Sequence, residues 1–246
     1  MEYFDGIDTA LKSRILYQSE ACVVVNKLPG EAAQGARDEQ RNLPLMLKKS
    51  LNMEFIEAVH RLDVPVTGCS LFALNSISLK YLNAVFKEFS ADREKELIDK
   101  KYWVIVEKPP FILKEQGELV HWIETNSRLN KSFAHTALAV HNSGKKGCKK
   151  AALQYRITGE GLNYLFIEVR LLSGRHHQIR SQFAAIGLHI KGDLKYGAKR
   201  SEKSGIRLHA RSLSFPNPLK KCERISVTAD PPQPDNLWNE FAGFCL

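Results

Sequence analysis

His60-Arg-Leu-Asp-Val-Pro-Val-Thr-Gly-Cys-Ser-Leu-Phe-Ala-Leu74 is the stretch from which the rest of the chain is read. Its second half, Cys69 to Leu74, is an almost unbroken apolar run of strand length. Its first half gathers His60, Arg61 and Asp63 ahead of Pro65 and Gly68. Proline lacks the N–H that a helix needs and glycine loosens the backbone, so the charged residues belong to a loop that enters a strand. A carboxylate on such a loop can serve as nucleophile or general base if a nearby cation keeps it ionised. The same carboxylate could instead cap a turn through its side chain.

Outward from this stretch, Ile15 to Asn26 reads as a strand that ends in a β-branched run and stops at Lys27-Leu-Pro-Gly30. Residues 31–54 are polar and read as loop with a short helix. Leu79, Leu82, Val85, Phe86 and Phe89 recur at spacings of three and four, which predicts an amphipathic helix over 78–89 with Ser78 as its cap. A charged connector follows over 91–100, and Tyr102-Trp-Val-Ile-Val-Glu107 is a strand by its β-branched and aromatic content. Residues 111–143 read as hairpin and loop, 153–157 and 164–172 as strands around the turn at Gly159-Glu-Gly161, and 178–186 as a short helix stopped by Gly187. A last strand spans 208–215, and the final dozen residues read as tail. No internal repeat or long Gly/Ser linker divides the 246 residues, so the expectation is one α+β domain over 1–246.

The chain carries 36 Lys and Arg against 27 Asp and Glu, a net charge of +9, which favours a polyanionic partner. The charge is unevenly placed: residues 1–100 hold 13 basic and 15 acidic side chains, whereas residues 101–224 hold 23 and 9. A phosphate-binding surface therefore belongs to the second half, although a solvated basic face would give the same count. Five cysteines at 22, 69, 148, 222 and 245 form no C-x-x-C pair and no metal-ligand spacing, which fits a reducing compartment. No apolar run approaches the ~20 residues that span a bilayer, and Met-Glu-Tyr-Phe-Asp at the start is not signal-like. The expectation is a cytoplasmic protein with no membrane contact.

A second concentration of chemistry, Gly174-Arg-His-His-Gln-Ile-Arg180, stands at a strand-to-helix junction. His176 and His177 raise the question of zinc, but adjacent side chains diverge and no third ligand lies at a metal-site spacing. Base or phosphate contacts, or core hydrogen bonds, suit them better.

His60-Arg-Leu-Asp63 with Thr67-Gly68, Lys101-Tyr102 opening a strand, Gly174-Arg-x-His-Gln-Ile-Arg180, and Gly192-Asp-x-x-Tyr-Gly197 together resemble the RluA-type RNA pseudouridine synthase family. Val24-Val-Asn-Lys27 and Leu208-His-Ala210 extend the resemblance over about 15–218, in the family's order. It implies a pseudouridine synthase fold: a mixed, mostly antiparallel sheet with flanking helices and a central active-site cleft. It also implies an isomerase that converts uridine in ribosomal or transfer RNA to pseudouridine with no cofactor; no metal is expected, and since nothing in the sequence asks for a partner subunit the expectation is a monomer.

By the same resemblance, Asp63 is the nucleophile, Tyr102 stacks on the base and accepts a proton, and Arg180 is the cation paired with Asp63. Arg61 fills the space left by a flipped base, which makes physical sense because a stacked uracil is out of reach until it is extruded. His60, Arg175, His177 and Gln178 are expected at the RNA, as are Lys145, Lys146, Lys149 and Lys150, with phosphate contacts also expected from Lys199, Arg200, Lys203, Arg207 and Arg211. The chain departs from the family in Val64-Pro-Val66, where a charged pair followed by Thr-Ser is usual, and in His176, where threonine is common. Only about 14 residues precede the matching region, so no additional amino-terminal RNA-binding domain is expected. The alternative is a catalytically silent RNA-binding or ribosome-assembly protein of the same fold, since fold alone does not prove activity.

Overall fold

The computed structural model describes residues 10–35, 38–89, 97–144, 146–200, 205–220 and 222–245. In chain order its elements are β1 (Ile15–Gln18), β2 (Cys22–Lys27), α1 (Leu43–Leu51), β3 (Glu57–Ala58), β4 (Thr67–Ala73), α2 (Ser76–Phe89) and β5 (Asp99–Glu107). There follow β6 (Gln116–Asn126), β7 (Lys131–His135), α3 (Ala137–Ser143), β8 (Lys149–Glu160), β9 (Tyr164–Leu171), α4 (Gln178–Ala185), β10 (Leu208–Pro216), β11 (Arg224–Thr228) and α5 (Asn236–Gly243). The chain divides into two compact units, Met1–Lys100 with His209–Gln233, and Lys101–Leu208 with Pro234–Leu246.

In the first unit the strands run β1-β2-β4-β10, with β3 on β4 and β11 on β10. All pairs are antiparallel except β4 with β10, where Thr67 faces His209 and Gly68 faces Ala210. Strand β2 is apolar on both faces because both are covered. Val23, Val25 and Phe72 pack on Leu43 and Leu47 of α1, while Cys22, Val24 and Leu71 pack on Leu82 and Val85 of α2. Helix α2 is capped by Asn75, whose Oδ1 accepts from Ser78 N at 2.8 Å, so the expected cap at Ser78 moves three residues upstream. The expected single strand over 15–26 is a hairpin instead, turned at Ser19, whose hydroxyl accepts from Ala21 N and Cys22 N.

The second unit is an antiparallel meander-like sheet in the order β5-β9-β8-β6-β7. One of its apolar clusters joins Trp103, Ile105 and Phe166 to Trp238 and Phe241 of α5, with Trp103 stacked on Phe241 at 4.6 Å. The expected tail is therefore partly a helix, capped by Asp235, which accepts from Trp238 N at 3.1 Å. Helix α4 buries Ile179 and Phe183 and donates from Gln182 Nε2 to Leu119 O of β6 at 3.0 Å. Each unit is thus a mostly antiparallel sheet with covering helices, the α+β class expected from the sequence.

Candidate active site

In the first unit the Asp63 loop alternates inward and outward. Leu62 is buried, while Arg61 is exposed and Asp63 half-buried. A turn closed by Val66 N donating to Asp63 O at 2.9 Å follows directly. Lys27, fully buried at the end of β2, aims its ammonium at this turn and donates to Leu28 O, Val64 O and Val66 O at 3.0, 3.0 and 2.6 Å. An ammonium has three protons, and these three carbonyls take them. Burial pulls the Lys27 pKa from its ordinary 10.5 down to about 8, against the upward pull of Glu31 and Asp63. Val64 O also accepts from Gly30 N at 2.9 Å.

The next two residues fasten the loop to β10. Buried His209 donates from Nε2 to Ala229 O at 2.9 Å, so its Nδ1 accepts the Thr67 hydroxyl at 2.8 Å. Burial holds His209 neutral, with a pKa of about 4. Gly68 has φ +108°, and a Cβ there would lie 2.3 Å from Ala210 O, so glycine is required where β4 meets β10. Lys27, whose match to the family pattern suggests a structural or peripheral role, and His209, whose role no motif discloses, both shape this loop.

His60 is turned inward. Its Nε2 accepts from Leu71 N at 3.2 Å and its ring stacks on Phe86 at 5.3 Å. Burial, with Lys100 nearby, pushes its pKa well below the usual histidine range, so it is a neutral brace for the loop.

In the second unit Tyr102 lies on β5 opposite Val169 and is 6% exposed. Arg180 is buried on α4, with Nε and Nη2 forming a bidentate pair with Asp193 at 2.7 and 2.8 Å. Its guanidinium lies 4.9 Å from the Tyr196 ring centre. Asp193 and Tyr196 were legible only as letters of Gly192-Asp-x-x-Tyr-Gly197; the structure gives them the work of fixing Arg180. A guanidinium has five donors, more than one carboxylate can take.

Gln178, expected at the RNA, spends its amide on the strand-to-helix joint: Oε1 accepts from Ser173 Oγ and Arg175 N, and Nε2 donates to Ala152 O. His177 is buried, with Nδ1 2.9 Å from the Tyr196 hydroxyl. Arg175 is half-buried and donates to Lys150 O at 3.3 Å. Lys146, Lys149 and Lys150 are exposed, while Lys145 and Lys203 lie outside the described residues. One expected phosphate contact is corrected: Arg207 is buried and paired with Asp235; Arg211 is half-buried, its Nη1 donating to Ala229 O and Asp230. Among the described residues no helix is long and apolar enough to cross a membrane.

Comparison with solved structures defines the class. Human RNA pseudouridylate synthase domain containing 4 matches with a TM-score of 0.72, covering 98% of this chain and 97% of that one, at 22% identity. The fold is that of the pseudouridine synthases. A family model described as RNA pseudouridylate synthase matches residues 21–185, and the chain belongs to that family, in its RluA-type branch.

Similar proteins include the ribosomal large subunit pseudouridine synthase C of Rickettsia bellii, 30% identical over 187 residues, or 74% of this chain and 56% of that protein. The tRNA pseudouridine synthase C of Haemophilus ducreyi is 27% identical over 233 residues, 87% of this chain and 89% of that protein. The chain spans about half the length of several other relatives.

Proposed function

We propose that this protein isomerises uridine in structured RNA, ribosomal or transfer, to pseudouridine. Asp63 attacks the nucleoside, the bond between ribose C1′ and uracil N1 breaks, and the base turns over. C5 then bonds to C1′ as the Asp63–C1′ bond breaks; the C5 proton leaves by way of Tyr102 and N1 takes up a proton, restoring the ring. The sum is an isomerisation, so no cofactor is consumed. Arg180 is the cation that the family pattern pairs with Asp63, and exposed Arg61, two residues before Asp63, is suited to occupy the gap left by a flipped base. We read the protein as a cytoplasmic monomer.

The observation that carries this reading is the intact set of Asp63, Tyr102 and Arg180 in a family member. It is supported by the number of groups devoted to holding the loop after Asp63: the Lys27 ammonium, the Thr67–His209 pair and a glycine that only glycine can replace. The test is tritium release from C5 of uridine in labelled ribosomal and transfer RNA transcripts. Asp63→Asn should abolish release while leaving RNA affinity within a few-fold. Full activity in that variant would sink the nucleophile assignment. No release by the wild-type protein from any of its own cell's RNA would favour a silent RNA-binding protein of the same fold.

A further inference from the structure

The joint that carries Arg180 is tied to the β6–β7 hairpin by a closed set of hydrogen bonds centred on Ser132. Ser132 is fully buried. Its N–H donates to the Tyr196 hydroxyl at 2.8 Å, and that hydroxyl donates back to Ser132 O at 3.1 Å. A phenol has one proton to give, so the 2.9 Å contact with His177 must have Nδ1–H of His177 as donor. The Ser132 hydroxyl in turn lies 2.9 Å from His176 Nδ1, and the His176 and His177 rings stack at 3.8 Å with planes 20° apart.

His177 reaches this arrangement at φ +51°, a left-handed conformation that is unfavourable for a non-glycine residue and persists only where the surroundings over-determine it. What they determine is the place of the Tyr196 ring, over which both the Arg180 guanidinium and the Lys131 ammonium lie, at 4.9 and 5.0 Å.

We propose that His176 is a positioning residue for Arg180, a role that rests on the reading of Arg180 as part of the catalytic site. Through Ser132 it fastens the hairpin to Tyr196, and through the stacked His177 it fixes the hydroxyl that aims the ring beneath the guanidinium. The hairpin carries Lys131 at this joint and Arg128 at its turn, so the element pinned to the arginine is itself cationic.

The test compares turnover in the tritium-release assay for His176→Phe, which keeps a ring but loses the nitrogen, Ser132→Ala, and the double variant. Loss of the part-buried Ser132–His176 hydrogen bond, with the 3.3 Å contact of Ser132 Oγ to Thr125 Oγ1 also lost in Ser132→Ala, should lower kcat about five-fold, with the KM for RNA within about two-fold. The double variant should be no slower than either single, His176→Phe should add nothing in a Tyr196→Phe background, and His176→Asn, with a polar atom near the Nδ1 position, should recover most of the turnover.

Multiplying effects, a change confined to KM, or wild-type turnover in both singles would overturn the inference. If His176→Phe fails to fold, judged by thermal unfolding, Ser132→Ala alone and in the Tyr196→Phe background carries the same comparison. Arg180→Ala separates the two levels. Undiminished turnover there removes the catalytic reading and this inference with it, whereas an inactive Arg180→Ala beside multiplying hairpin variants removes the inference alone.

Discussion

Lys27 is a cation placed where water cannot reach it, and its cost and its use are both present while it is charged. Its folded pKa, about 8, lies below the ordinary 10.5, so between these values the unfolded chain holds more protons than the folded one. The penalty of burying the charge is present in full below pH 8 and is relieved as pH rises to 10.5. Urea unfolding should therefore show the wild type gaining stability over Lys27→Met across that window, and equal slopes would refute the shift. The three carbonyls it holds belong to the Asp63 turn and the turn after β2, so the variant should lose activity below pH 8 as well. At this scale the sequence was legible as letters more than as directions. Asp63, Tyr102 and Arg180 stand out by motif, but on an irregular loop no periodicity tells where a side chain points, and so His60 and Gln178 read as surface contacts although their polar atoms are engaged inside.

Secondary elements were legible where composition and burial agree. Strand β2 announces itself because both faces are covered, and α2 because one face is apolar. Helix α5 was missed because it is two turns long and follows a proline-rich stretch, with only Asp235 to mark its start. Asp235→Ala removes that cap and the carboxylate beside Arg207, and should cost about 1–2 kcal/mol in thermal or urea unfolding. The β4–β10 contact is more exacting. Gly68→Ala puts a methyl 2.3 Å from Ala210 O at a positive φ, so it should cost more than about 2 kcal/mol or force the strands apart. Wild-type stability in that variant would show that the strands part at little cost.

Over the molecule, charge and connectivity divide differently from chain position. By sequence, the first unit holds 17 basic and 17 acidic residues and the second 19 and 10, so the entire net charge of +9 falls on the second unit. RNA binding should weaken steeply with salt, and replacing exposed Lys149 or Lys150 with alanine should lower the log–log salt slope by about one if that lysine meets a phosphate. Filter binding over a potassium chloride series checks this, and an unchanged slope would free those lysines from the interface. The connectivity bears on how the chain is made. Trp103, Ile105 and Phe166 have Trp238 and Phe241 as their cover, and residues 209–233 of the first unit are translated in between. On a ribosome, where segments emerge in order, the indole of Trp103 must wait for more than half of the polypeptide before its stacking partner Phe241 arrives. A nascent chain arrested before Asp235 should accordingly recruit a holdase, or be cut by protease near β5, and lose both liabilities once α5 has cleared the exit tunnel.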